Sequence, residues 1–126
     1  MQPVTLSGTV TPFAGNGRQF GYPTANITTQ TDLADGVYFG YADLAGFSAR
    51  PALIFIGVPV TVGDTERRVE VHVLDIPDVD HYNQPLRVSV QNFHRGNKKF
   101  DSVSELLDEM KADEQAARAW FTSQQA

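Results

Sequence analysis

Cysteine is absent from this 126-residue chain, which excludes a disulfide framework, a zinc–thiolate site and a cysteine nucleophile. Lysine is nearly absent: Lys98, Lys99 and Lys111 are the only three, so the first 97 residues contain none. A Walker-type loop, which needs a lysine on the β- and γ-phosphates, is excluded from that stretch. Any phosphate handled there must meet arginine, backbone N–H groups or a metal. No run of 18 apolar residues occurs, so a transmembrane helix is not expected. The opening MQPVTLSGTV lacks a basic n-region and an apolar h-region, so no secretory signal is expected either. Ten basic residues against fifteen acidic ones leave a net charge of −5, which argues against nucleic acid or an anionic membrane as the main partner. With 41% apolar residues the chain can still bury a sizeable core. The expectation is one cytoplasmic domain over residues 1–126.

Short strands between turn signals fill most of the chain. Pro3–Val10 carries apolar residues at Val4, Leu6 and Val10, and Val37-Tyr38-Phe39-Gly40-Tyr41 follows the turn pair Asp35-Gly36. Ala52-Leu53-Ile54-Phe55-Ile56 is continuously apolar between Pro51 and Gly57, the pattern of a strand buried on both faces. Arg68 to Ile76 alternates, with Val69, Val71 and Val73 on one side, and Leu86, Val88 and Val90 repeat that pattern after Asn83-Gln84-Pro85. Strands of this length and spacing suggest a closed or nearly closed antiparallel barrel. The period changes after Asp101. Ser102 with Glu105 reads as a capping box. Val103, Leu106, Leu107, Met110, Ala117, Trp120 and Phe121 then follow helical spacing, with a kink expected near Lys111–Asp113. The apolar stripe of this helix is expected to cover the barrel.

The segment Gly15-Asn16-Gly17-Arg18-Gln19-Phe20-Gly21-Tyr22-Pro23-Thr24-Ala25-Asn26 is the densest in chemistry. Its glycines allow close backbone approach, successive N–H groups can form an anion nest, and Arg18 suits phosphate oxygens. The spacing fits no dinucleotide fingerprint, and a plain turn is an equally physical reading. Pro23 favours an extended Tyr22, and in an extended chain Thr24 and Asn26 project to the same side. A hydroxyl and an amide oxygen are hard, neutral ligands suited to Mg²⁺; they also serve commonly as partners of nearby backbone groups. Arg68, Glu70 and His72 share the face opposite the three valines. That face is either solvated surface or the wall of a cleft with Glu70 as general base and His72 orienting. His81 and His94 have no metal-ligand spacing with His72, and no serine-nucleophile motif occurs. His94-Arg95-Gly96-Asn97-Lys98-Lys99-Phe100, the one basic cluster, reads as a surface loop or an anion-facing flap.

Together these segments resemble the riboflavin kinase (flavokinase) family, which also forms the C-terminal kinase domain of bifunctional bacterial FAD synthetases. The resemblance rests on Gly17-Arg18 through Gly21-Tyr22-Pro23-Thr24-Ala25-Asn26, Gly36-Val37-Tyr38 and Val69-Glu70-Val71-His72-Val73-Leu74. It continues through Tyr82, Leu86-Arg87-Val88, Arg95 and Lys98-Lys99-Phe100-Asp101-Ser102. It implies a mainly β, six-stranded antiparallel Greek-key barrel to about residue 100 and a C-terminal α-helix over about 102–122. The implied reaction is transfer of the ATP γ-phosphate to the ribityl 5′-hydroxyl of riboflavin, giving FMN and ADP with Mg²⁺. In that reading Glu70 is the catalytic base, and Thr24 and Asn26 are the metal ligands. Gly15, Gly17, Arg18, Gly21, Pro23, Thr24 and Tyr82 contact ATP, and Arg95 and Lys98 contact the flavin. Phosphoryl transfer demands positioning and charge neutralisation more than covalent chemistry, which suits a lysine-free N-terminal half.

The chain departs from the family pattern at Phe13, where a glycine is usual, at Phe55-Ile56-Gly57-Val58-Pro59-Val60-Thr61, at Asn83 and at Gly96-Asn97. These departures favour, as the alternative, a non-catalytic flavin- or nucleotide-binding module with a regulatory or carrier role. A monomer is expected, working on riboflavin and ATP beside a separate FMN adenylyltransferase. FAD synthesis is not expected of this chain alone.

Overall fold

The computed structural model describes residues 1–11, 21–58, 66–77 and 81–125. Among these residues six strands and one helix follow in chain order: β1 (Val4–Thr11), β2 (Ala25–Ile27), β3 (Gly36–Leu44), β4 (Phe47–Gly57), β5 (Arg68–Val73), β6 (Pro85–Arg95) and α1 (Val103–Gln124). The strands close into a barrel in the order β1-β2-β5-β4-β3-β6, with every pairing antiparallel. Consecutive β3, β4 and β5 are neighbours and β6 returns to lie beside β3, which is the Greek-key arrangement expected.

Alternation decides which side chain faces inward. Leu6, Val10, Ala25, Ile27, Tyr38, Ile54, Ile56, Val69, Val71, Val88 and Val90 fill the interior, drawn from all six strands. The valines of β5 therefore point inward as their spacing predicts. The apolar run of β4 is covered on both faces: Ala52, Ile54 and Ile56 point in, while Leu53 and Phe55 lie under α1 with Val37, Phe39, Ala117 and Phe121. Tyr41 and Trp120 complete this outer cluster, with the Tyr41 and Phe121 rings edge to face at 5.4 Å.

Glycine matters most at Gly40, on β3 where its register with β6 slips. A Cβ there would run into the Ser89 carbonyl, so the two strands approach as closely as they do because no side chain intervenes. The β3–β4 hairpin turns on Ala45 and Gly46, both with positive φ, and brings Leu44 opposite Phe47. It extends both strands well beyond their apolar centres. β5 ends earlier than its alternation suggests, since Asp75 adopts a φ of 61° and turns the chain.

The start of α1 is capped as read from sequence. Ser102 Oγ accepts from the Glu105 N–H at 3.2 Å, and the Glu105 carboxylate accepts from the Asp101 N–H at 3.1 Å. The expected kink near Lys111–Asp113 is not found, and α1 runs unbroken for 22 residues. Asp113 is buried against the barrel at 4% exposure. Arg95 donates to it through Nε and Nη2, both at 2.8 Å, and His94 Nε2 lies 3.1 Å away. The polar residues that suggested an interruption are the point where the helix is tied to β6.

Truncating Phe121, which is 5% exposed, to alanine should cost about 3–5 kcal/mol in urea unfolding. Val103→Ala, 38% exposed at the other end of the helix, should stay within about 0.5 kcal/mol. Equal effects would mean that the helix stripe does not cover the barrel as described.

Candidate functional site

Cross-strand register places one outward residue per strand in a single row around the wall: Arg95, Val37, Phe55, Glu70, Asn26 and Thr11. Residues directly opposite in a sheet share a face, with Cβ atoms roughly 4.5–5.5 Å apart. Val37 and Phe55 belong to the cluster under α1, so the polar stretch of this row is Glu70, Asn26 and Thr11.

Asn26 sits between two inward residues of β2, so its amide must point outward, yet it is only 5% exposed. Its Oδ1 is buried and has no hydrogen-bond partner among the described residues. An unsatisfied buried acceptor costs about 1–3 kcal/mol, so this oxygen awaits a donor or a cation. Glu70, half-buried, lies opposite it on β5, and Thr24 stands two residues earlier at the entrance to β2. A neutral amide oxygen, a hydroxyl and a nearby carboxylate form a hard-oxygen donor set. They fit Mg²⁺, which keeps waters and phosphate oxygens for its remaining positions. No group of three His, Asp or Glu side chains able to hold a metal by themselves occurs among the described residues.

The face of β5 that carries Glu70 is not solvated surface. Arg68 is 9% exposed, and its guanidinium lies 4.0 Å from the Glu70 carboxylate. His72 is half-buried, with Nδ1 2.7 Å from the Pro23 carbonyl and its ring edge to face with Tyr22 at 5.4 Å. Tyr22 in turn meets α1: burial, and then its hydrogen bond to Glu114, hold its phenol above its ordinary pKa. Glu114 and Asp75 both pair with Arg118, which bonds them at 2.9 Å and 3.0 Å.

The other expected site residues fall as follows. Gly15, Gly17 and Arg18 lie outside the described residues. Gly21 has a φ of 85° with open space where a Cβ would project, so it is required for its backbone conformation. Tyr82, 41% exposed, lies in a turn anchored to β1 by the Asn83 N–H on the Val10 carbonyl and the Val10 N–H on the Gln84 carbonyl, both 2.9 Å. Val10 precedes Thr11, which opposes Asn26, so this turn borders the same stretch of wall. Asn83 takes the left-handed φ of 66°.

Arg95 and Lys98 are not brought to Glu70. Arg95 stands three strands away in the row, roughly 14 Å at the usual strand spacing. Its guanidinium is engaged by Asp113 and lies 3.3 Å from Glu109, while Lys98 bonds Glu109 at 3.0 Å. Asn97 ties this segment to β4 through the Ile56 carbonyl at 3.1 Å. Sequence reasoning missed Asp113, Glu109 and Glu114 as partners, because charged residues on a surface helix carry no mark of what lies beneath them.

The site thus defines a class: a small Greek-key barrel with a carboxylate opposite an orphaned amide oxygen on its outer wall. A family model described as Flavokinase, riboflavin kinase, matches residues 1–121. Riboflavin kinase from Pyricularia oryzae is 30% identical over 92% of this chain and 70% of its own length. The bifunctional riboflavin kinase/FMN adenylyltransferase of Escherichia coli (strain K12) is 31% identical over 94% of this chain, which spans 38% of that longer protein. The crystal structure of riboflavin kinase from Trypanosoma brucei is similar with a TM-score of 0.74 and 25% identity, covering 99% of this chain and 81% of that one. This chain belongs to the riboflavin kinase family. Among the described residues, no helix is long and apolar enough to cross a membrane.

Acid should loosen the helix side of the site. Hydrogen bonds from Arg118 hold the Asp75 and Glu114 carboxyls below their ordinary values, and one from Lys98 does the same for Glu109. A carboxyl with a depressed folded pKa stabilises the fold above its unfolded value and loses that contribution as pH falls through the folded one. Thermal stability should therefore hold from pH 7 to about 5 and decline below about 4.5. In Glu114→Gln the acid decline should be shallower; an identical pH profile would contradict the pairing.

Proposed function

We propose that this chain transfers the γ-phosphoryl group of ATP to the ribityl 5′-hydroxyl of riboflavin, giving FMN and ADP, with Mg²⁺ accompanying the nucleotide. The observation that carries this reading is the pairing of Asn26, with its buried, unpartnered Oδ1, opposite Glu70 across the β2–β5 ladder. Family membership supplies the substrates, and this pairing supplies the chemistry.

Thr24 and Asn26 would hold the metal through their oxygens, and Glu70 would face the flavin hydroxyl. When bound, Mg²⁺ neutralises charge on the β- and γ-phosphates. Glu70 accepts the proton of the 5′-hydroxyl as that oxygen bonds to the γ-phosphorus. The bond from phosphorus to the β–γ bridging oxygen breaks, and ADP leaves with the electron pair. The Arg68 guanidinium lies 4.0 Å from the Glu70 carboxylate and places positive charge beside it. Gly21 approaches the phosphates, and Tyr82 borders the nucleotide. Arg95 and Lys98 would meet the flavin from the 94–98 segment, where Asp113 and Glu109 pair with them.

A chromatographic assay with riboflavin, ATP and Mg²⁺ tests this. The protein should form FMN, and EDTA should abolish the product. Glu70→Gln should lower kcat by about 10²–10⁴-fold while ATP and riboflavin still bind. Thr24→Ala and Asn26→Ala should shift the Mg²⁺ dependence to higher concentration. Riboflavin binding without turnover in the unmodified protein would favour a binding module and overturn the reading.

A further inference from the structure

The residue bearing the first metal oxygen, Thr24, lies just beyond the reach of the sheet. The β2–β5 ladder ends at Ala25 opposite Val71, and the next residue outward, Thr24, precedes β2. Pro23 has no N–H to donate, so the segment entering β2 has little backbone bonding available to hold it. A hydroxyl ligand displaced by an ångström loses much of its value, because productive geometry in phosphoryl transfer is narrow.

His72 occupies this gap. By register it stands one step beyond the Ala25–Val71 pair, on the same outward face as Glu70 and beside the position of Thr24. A carbonyl can only accept, so the 2.7 Å contact is an Nδ1–H donated to the Pro23 oxygen. The ring is itself pinned by the edge of Tyr22, which is 8% exposed and bonded to Glu114 of α1. Leu53 lies opposite His72 on β4 and is buried in the outer cluster. The imidazole is therefore held from Tyr22, β4 and β5, and its one described hydrogen bond goes to the segment that carries Thr24.

We propose that His72 is a positioning residue for the nucleotide–metal site, its Nδ1–H fixing the Pro23 carbonyl and thereby the Thr24 hydroxyl. It touches no reacting atom and is not a catalytic residue. The inference rests on the reading of Thr24 and Asn26 as the Mg²⁺–nucleotide ligands. Its consequence is selective: loss of the donor weakens the metal–nucleotide complex and spares the flavin.

The test is calorimetric titration of the intact protein with Mg²⁺·ADP and, separately, with riboflavin, using His72→Leu, His72→Asn and His72→Gln. Leucine removes the donor, asparagine places an N–H close to the position of Nδ1, and glutamine carries its N–H one bond further out. His72→Leu should weaken Mg²⁺·ADP binding about tenfold, the equivalent of one lost hydrogen bond, with riboflavin affinity unchanged. Asparagine should recover most of that loss and glutamine little of it. If leucine does not yield folded protein, the asparagine–glutamine contrast alone decides. Equal nucleotide affinity in those two variants, or parallel losses for both ligands alongside a lowered melting temperature, would overturn the proposal and leave His72 a packing residue. Absence of Mg²⁺·ADP binding in the unmodified protein would instead remove the site reading on which the proposal stands.

Discussion

A three-residue strand governs the site. β2 holds its place because Ala25 and Ile27 plug into the barrel interior, the latter fully buried, while β1 and β5 pair with it on either side. A slip of one residue would turn both apolar side chains outward and Asn26 into the core, so the register admits no neighbouring alternative. That register, set by hydrophobic burial, is what puts an amide oxygen opposite a carboxylate. The proposed cation site on this wall is thus a by-product of how the interior is filled.

The helix completes the arrangement from outside. α1 covers the apolar pair of the row, Val37 and Phe55, and leaves Glu70 and Asn26 at its margin. Its carboxylates reach to both sides: Asp113 and Glu109 hold Arg95 and Lys98, while Glu114 meets Tyr22. One helix face therefore braces both the segment entering β2 and the segment leaving β6. Burying Asp113 would be costly alone, and the paired Arg95 offsets that cost.

Much of this was legible in the sequence. Val69, Val71 and Val73 announced which face of β5 is inward and left Glu70 on the other. The apolar run of β4 announced cover on both sides, and Ser102 with Glu105 marked the helix start. Other features were silent for physical reasons. β2 is too short to show a period, so Asn26 could be placed opposite Glu70 only by the fold. Asp113 looks like any solvent-facing helical acid, because burial of a charge depends on a partner 18 positions away in the chain. Ala45-Gly46 lacks the usual asparagine of its turn, so the long β3–β4 hairpin was not apparent. Residue chemistry left Thr24, Asn26 and Glu70 with two readings each, and the proposed roles of metal ligand, base and nucleotide contact rest on the family resemblance. The geometry adds that Asn26, Glu70 and the Tyr82 turn border one stretch of wall, and that Arg95 does not.

The central claim is that the metal–nucleotide complex seats on the β2–β5 wall. The most direct measurement is paramagnetic broadening of backbone amide NMR signals by Mn²⁺ added with ADP. The account predicts the strongest loss at residues 24–26 and 69–71, with weaker loss along α1 near residues 109–113. Strongest broadening around Glu109 and Asp113, or an even effect over the surface, would contradict it.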